Sequence, residues 1–356
     1  MIDPTPLLVD LVRTPSPSGD EGRAAGALAA WASDHGLDPE VDDTAVRIRV
    51  AGPRPGPTLL MASHLDTVPP GDGWSVAPYD GVVNGGQLIA RGAVDAKASV
   101  SSMAAAAATL AASGNPAAGE LIVLATYSEE TRDTSMPRAL QRLGTTPDAA
   151  IVGEPTSLEP CIAQRGQLLL ELHWEGDQVH AGWAAGRQPP PVNAIRMAAA
   201  DLAALDEAPL RRSHPLLGEV TVTPTQLSAG VARNITPPEC VAMLDIRTTP
   251  AYEHAEIVSI IGEHVAARVK IYSDRLVPAE TPPESRVLAA VMAARPESTP
   301  FASPTCSDWV FMRDLDAVKL GPGDSTQSHT ADETIALDDV RAATELYLAV
   351  AREILK

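Results

Sequence analysis

Three apolar runs in this chain break off into side chains that carry chemistry, and this constrains the fold more than any other feature. Thr58-Leu59-Leu60-Met61-Ala62 is followed by Ser63-His64-Leu65-Asp66, Leu121 to Thr126 by Tyr127-Ser128-Glu129-Glu130, and Ala149-Ala150-Ile151-Val152-Gly153 by Glu154. Continuous apolar runs of this length read as strands buried on both faces, as in parallel sheets. Between the first two lie Arg91-Gly92-Ala93-Val94-Asp95-Ala96-Lys97 and an Ala-rich stretch, about Ala98 to Ala112, that reads as a helix. Strands alternating with helices predict a doubly wound α/β domain, whose sites lie at the carboxyl ends of its strands. His64, Asp66, Asp95, Glu129, Glu130 and Glu154 all fall at such ends or in the loops beyond them. His64 and Asp66 are two residues apart, so in extended backbone they point to the same side and make half of a metal site.

At 356 residues the chain exceeds the usual size of one domain. Residues Pro4 to Val12 and Glu21 to His35 read as helices, split by the turn-rich Thr14-Pro15-Ser16-Pro17-Ser18-Gly19, with Asp20 and Glu21 where a helix start favours acids. From Gly166 the pattern changes. Leu168 to Trp174 reads as a strand, Asn193 to Leu205 as a helix, Val220 to Leu227 and Val241 to Arg247 as strands, Pro250 to Arg268 as a helix and Val269 to Tyr272 as a closing strand. That β-α-β-β-α-β order is the ferredoxin-like motif. The expectation is a domain inserted at 166–273 within a discontinuous α/β domain built from 1–165 and 274–356.

The net charge of −19 argues against nucleic acid and anionic membranes as partners, since both need a basic footprint. The same field favours cationic or metal-bearing ligands. Cys161, Cys240 and Cys306 are odd in number and widely spaced, which suggests a reducing compartment. No basic n-region precedes an apolar segment at Met1, and the Ala-rich run is too short to span a bilayer. A cytoplasmic enzyme is expected. Of the histidines, His35, His214, His254 and His264 read as surface residues and His173 as structural. Cys306 lies near Asp308 without a dedicated His–Asn partner, so a catalytic thiol is not expected.

Collected, the chemistry-bearing groups are His64, Asp95, Glu130, Glu154 and His329, with Asp66, Glu129 and Asp308 as supports. Two imidazoles and three carboxylates suit Zn²⁺, Mn²⁺ or Co²⁺. A carboxylate between two histidine–carboxylate halves can bridge two ions about 3.5–4 Å apart.

Ser63-His64-Leu65-Asp66-Thr67-Val68, Gly92-Ala93-Val94-Asp95-Ala96-Lys97, Ser128-Glu129-Glu130, Gly153-Glu154-Pro155-Thr156 and Gly321-Pro322-Gly323 through His329-Thr330-Ala331-Asp332-Glu333 together resemble the M20 metallopeptidase motifs. The likeness runs over nearly the whole chain, in order. It implies an aminopeptidase-like catalytic domain with an inserted dimerisation (lid) domain, and two divalent ions per subunit, zinc first with cobalt or manganese as alternatives. Asp95 resembles the bridging carboxylate, His64 and Glu154 the ligands of one ion, Glu130 and His329 those of the other. Glu129 matches the general base and Asp66 the carboxylate that orients His64. The resemblance also implies that His180 reaches a partner subunit's site across a twofold axis, and that Asn234, Arg247, Gly321 and Gly323 meet the substrate. The activity implied is hydrolysis of an amide on an amino acid, of the acetylornithine or acetyl-lysine deacetylase type. A dipeptidase or carboxypeptidase is the alternative within the family, and an inactive zinc-binding paralogue the alternative outside catalysis.

Overall fold

The apolar runs are strands. In the computed structural model, which describes every residue except Asn115 and Ala185, β1 (Pro39–Val41), β2 (Ala45–Ala51), β3 (Thr58–His64), β4 (Glu120–Thr126), β5 (Ala149–Val152) and β6 (Asp316–Lys319) lie in one sheet in the order β1-β2-β4-β3-β5-β6. From β4 to β6 neighbouring strands are parallel, while β1 and β2 join antiparallel at the edge. The central strand β3 is buried along its whole length. One face of the sheet packs on α1 (Thr5–Val12), α2 (Gly22–Asp34), α3 (Lys97–Ala112), α4 (Arg286–Ala294) and α5 (Leu337–Ile354) through residues such as Leu59, Met61, Val123 and Ile151. The short helix Met136–Gln141 and the 3₁₀ turn Asp308–Met312 cover the other. This is the expected doubly wound arrangement.

Helix α3 explains the alanine bias. It is buried on nearly all sides, and a helix enclosed on every side must be apolar all round. Small side chains let it lie close to β3 and β5. A Cβ on Gly153 would fall 2.6 Å from Met103 Cε, 2.8 Å from Ser99 Cβ and 3.0 Å from Ser63 Cβ.

By its contacts the chain divides into two units: Met1–Ile162, Glu280–Phe301 and Ser307–Lys356 form the first, Ala163–Ala279 and Ala302–Cys306 the second. In the second, strands Gly166–Glu175, Thr221–Ala229, Glu239–Thr248 and Arg268–Leu276 form an antiparallel sheet with helices Ala194–Ala204 and His254–His264. The two inner strands are 166–175 and 239–248, which is the ferredoxin-like order. Along 166–175 buried and partly exposed residues alternate, and Leu168, Leu170, Leu172 and Trp174 enter the unit's core.

Three details depart from the sequence reading. The helix expected over 250–268 spans only His254–His264: Glu253 and Val265 are both extended, and Val265 leads to Ala267, whose N–H donates to Asp201 Oδ2 at 3.0 Å. His214 and His254, expected at the surface, are buried. His254 faces Thr248 Oγ1 at 2.9 Å and the Asp274 carbonyl at 3.0 Å, and His214 Nδ1 accepts from the Leu216 and Leu217 amides. A small sheet of Val82–Asn84, Gln87–Ile89 and Thr334–Ala336 was also not anticipated; its strands are three residues each, and one arrives from far along the chain. That pairing carries Glu333 to the loop that ends in Asp95.

Gly153→Ala should destabilise the protein by about 1–3 kcal/mol through overpacking. Chemical unfolding checks this, and an unchanged midpoint would mean that α3 can withdraw from β5.

Candidate metal centre

Parallel strands bring their carboxyl ends to one edge, and here each end delivers a polar side chain. His64 is the last residue of β3 and is buried. Its Nδ1 lies 3.3 Å from Asp66 Oδ1 and its Nε2 3.1 Å from Asp95 Oδ1. Asp66, fully buried, also accepts from Ser18 Oγ at 2.7 Å, the Glu129 amide at 3.0 Å and the Glu130 amide at 3.1 Å. Burial alone would raise its carboxyl, but the bonds from His64, Ser18 and Glu130 hold it below the usual range. The turn beyond β4 is thereby tied to the end of β3.

Asp95 is held by a different carboxylate. Glu333, fully buried, accepts from the amides of Gly92, Val94 and Asp95 at 3.0, 2.7 and 3.0 Å and pairs with buried Arg91 at 2.6 Å. Lys97, also fully buried, donates to the carbonyls of Leu11 and Thr14 at 2.9 and 3.0 Å, and burial lowers its ammonium to about 7. Gly92, with φ of 82°, is required where it stands, because a Cβ would lie 2.7 Å from Thr67 Cγ2.

His329 comes from the loop before Thr334–Ala336. Its Nε2 lies 2.9 Å from Glu130 Oε1 and 3.4 Å from Asp95 Oδ2. Asp95 therefore presents one oxygen to each histidine. The ligand atoms of His64, Asp95 and Glu130 all lie within 4.8 Å of one another. Glu154, beyond β5, shares the field: burial and then the Asp95 charge raise it to about 8, against His64 and Lys319. Burial holds Glu129 well above the usual range, an effect His64 opposes and Asp308, Glu154 and Glu130 reinforce. Asp95 and Glu130 raise the His329 imidazole to about 10. Asp66 and Asp95 raise His64 well above its usual value, against its burial. Asp95, which burial would raise, is held well below the usual range by His329 and His64.

Of the residues singled out from the sequence, His64, Asp66, Asp95, Glu129, Glu130, Glu154 and His329 thus gather at one end of one sheet. Gly321 and Gly323 are buried, and their carbonyls accept from the Thr156, Leu158 and Ser157 amides, just beyond Glu154 in the chain. A Cβ on Gly321 would lie 2.5 Å from the Glu154 carbonyl oxygen. His180, Asn234 and Arg247 belong to the second unit. His180 is exposed and its Nδ1 accepts from the Gly182 amide at 3.1 Å, while the Asn234 carbonyl accepts from Ala181 N–H at 2.8 Å. Arg247 pairs with both oxygens of Asp245 at 2.8 and 3.0 Å.

Sequence reasoning missed Ser18, Glu21, Arg91 and Glu333 as site residues. Glu333 and Arg91 stand inside quoted motifs, but only the fold shows that they meet. Glu21 reads as an ordinary acid at a helix start.

The profile of Peptidase family M20/M25/M40 matches residues 60–353. The chain belongs to this family. A succinyl-diaminopimelate desuccinylase of Rhizorhabdus wittichii is 30% identical, covering 100% of this chain and 99% of the relative. An Aeropyrum pernix protein named as a LysW-lysine/LysW-ornithine hydrolase is 28% identical over 96% of this chain and 93% of its own. A dinuclear metal-binding M20 peptidase of Bacillus subtilis has the same fold, with a TM-score of 0.75 at 14% identity, covering 99% of this chain and 97% of that one. The M20 protein described here is accordingly a hydrolase acting on amides.

Its donor set fits divalent ions: nitrogen and carboxylate oxygen converge, and a carboxyl that burial raises, as at Glu154, regains its charge beside a cation. Glu154 near 8 and His329 near 10 both hold a proton at pH 7. Each must lose it to act as a ligand, so adding zinc to the apoprotein at pH 7 should release a proton from each. Apparent affinity should rise as pH climbs from 6 through about 8 and on toward 10. Calorimetry in buffers of different ionisation enthalpy reads this, and an affinity flat between roughly pH 6 and 8 would contradict it.

Proposed function

We propose that this M20 hydrolase removes the acyl group from an N-acylated amino acid that carries a second amino group, the acetylornithine and acetyl-lysine type, with the succinylated analogue as the nearest alternative. The observation that carries the reading is Asp95 between two histidines, one carboxylate oxygen toward each, with Glu130 on one side and the protonatable Glu129 and Glu154 alongside. The relatives' names support an acyl amino acid as the substrate class. The net charge of −19 suits a substrate with a free cationic group.

His64 and Glu154 would hold one ion, Glu130 and His329 the other, and Asp95 both; zinc is the first choice, with cobalt or manganese able to replace it. When bound, such ions polarise the amide carbonyl and acidify the attacking water. The remaining steps belong to the chain. Glu129 takes the proton of the attacking water and returns it to the leaving amine; a carboxyl held above its usual range is suited to carry a proton at neutral pH. Asp66 fixes the Glu129 amide and occupies His64 Nδ1, so that Nε2 faces Asp95.

The second unit is proposed as the lid and dimerisation domain of a cytoplasmic homodimer, with His180 serving the partner's site and Asn234 and Arg247 meeting the substrate carboxylate. Its edge strand Thr221–Ala229 is largely exposed, including Leu227, a ready surface for strand pairing. Among the described residues no helix is long and apolar enough to cross a membrane, and none of the three cysteines forms a disulfide. A monomeric mass by light scattering would remove the dimer.

The substrate reading is tested by release of amine from N-acetylornithine, N-acetyl-lysine, N-succinyl-diaminopimelate and dipeptides with zinc-loaded enzyme. Turnover of an N-acyl diamino acid is expected, and turnover of dipeptides alone overturns the proposal. Glu129→Gln should keep zinc while losing about 10²–10⁴ in kcat, whereas Glu130→Gln should also weaken zinc binding. A Glu129→Gln protein that loses zinc yet remains active when reloaded would reverse the two roles.

A further inference from the structure

Glu129 and Glu130 are adjacent, yet one is proposed as a base and the other as a ligand, so something must send neighbouring side chains to different tasks. We infer that Glu21 is the positioning residue that does so, by holding the turn at Ser128. This rests on the roles proposed above for Glu129 and Glu130.

Ser128 has a φ of 59°, a left-handed backbone that a residue with a Cβ adopts only when its surroundings impose it. Both sides of this turn are held by carboxylates. On the far side Asp66 receives the Glu129 and Glu130 amides, one on each oxygen. On the near side Glu21 Oε1 accepts from the Ser128 amide at 3.0 Å, Ser128 Oγ at 3.2 Å and the Gly19 amide at 2.8 Å. With both grips in place Glu130 Oε1 comes 2.9 Å from His329 Nε2.

The ordinary reading of an acid at this place in the sequence does not account for Glu21. It directly precedes α2 at Gly22, but its side chain makes no capping bond to that helix. Instead it is 5% exposed and turned onto a strand end more than 100 residues away. The same loop supplies Ser18, whose hydroxyl bonds Asp66 Oδ2, and Ser16, whose hydroxyl donates to the Leu65 carbonyl at 2.7 Å. Residues 16–21 thus brace both carboxylate grips from one side.

The test compares Glu21→Ala with Glu21→Gln, whose amide oxygen can still accept the three bonds. Zinc affinity by chelator competition, kcat, KM and melting temperature are read for both. Glu21→Ala should lose about 10–100-fold in zinc affinity and in kcat with KM near the wild-type value, while Glu21→Gln stays within about threefold on each. A lower melting temperature with zinc affinity and kcat both near wild type would reduce Glu21 to a structural residue and overturn the proposal. So would equal losses in the two variants, because charge and not the three bonds would then be at work. If Glu21→Ala does not fold, Glu21→Asp takes its place, drawing the carboxylate back by one methylene, with the same losses expected and the same results overturning the idea. Glu129→Gln measured alongside separates the two readings. Full turnover there defeats the general base, while the effect of Glu21 on zinc affinity is still read independently.

Discussion

One buried carboxylate ties the two halves of the site together. Asp66 takes a hydroxyl from Ser18, the amides of Glu129 and Glu130, and the Nδ1 side of His64, so both of its oxygens are engaged and none faces water. A buried charge satisfied in this way is rigid, since breaking any one bond leaves an unpaired group in a poor solvent. His64 ends β3 and the paired glutamates follow β4. Through Asp66 these neighbouring strand ends keep a fixed geometry, and polar groups preorganised in this way need no rearrangement during a reaction.

Around that hub the chain repeats the device of a buried carboxylate gathering backbone amides. Glu333 gathers three from the loop that ends in Asp95, and Glu21 gathers two, together with the Ser128 hydroxyl. The Arg91–Glu333 pair is fully desolvated. A pair of that kind contributes little net stability compared with a well-packed apolar core, but leaving one partner alone costs about 3–5 kcal/mol. Its value here is register: it holds a strand arriving at Thr334 against the loop that precedes α3.

The charges explain why the centre suits cations. Asp95, Glu129, Glu130 and Glu154 crowd one sheet end in a chain of net charge −19, where burial and the neighbouring carboxylates raise Glu129 and Glu154 and the carboxylates raise both histidines. Such a set is frustrated by itself and complementary to divalent ions. That complementarity, more than any single distance, connects the geometry to amide hydrolysis in the M20 family.

Much of this was legible in the residues. Continuous apolar runs specified parallel strands because only strands covered on both faces tolerate them, and the polar residues that end those runs had to collect at the carboxyl edge of the sheet. The change of pattern from Gly166, with its β-α-β-β-α-β order, announced the second unit. What the sequence could not supply was every partner that depends on long-range closure. Glu333 meets Arg91 across 242 positions and Glu21 meets Ser128 across 107. Neither residue differs locally from an acid on a solvated face. The buried His254 is hidden for the same reason, since one of its partners is the backbone carbonyl of Asp274 and carbonyls carry no sequence signal. Residue types and their periods determined which groups would gather. Only the packing of distant segments decided what holds them still, because a hydrogen bond to backbone requires a position in space and leaves the identity of the residue behind it open.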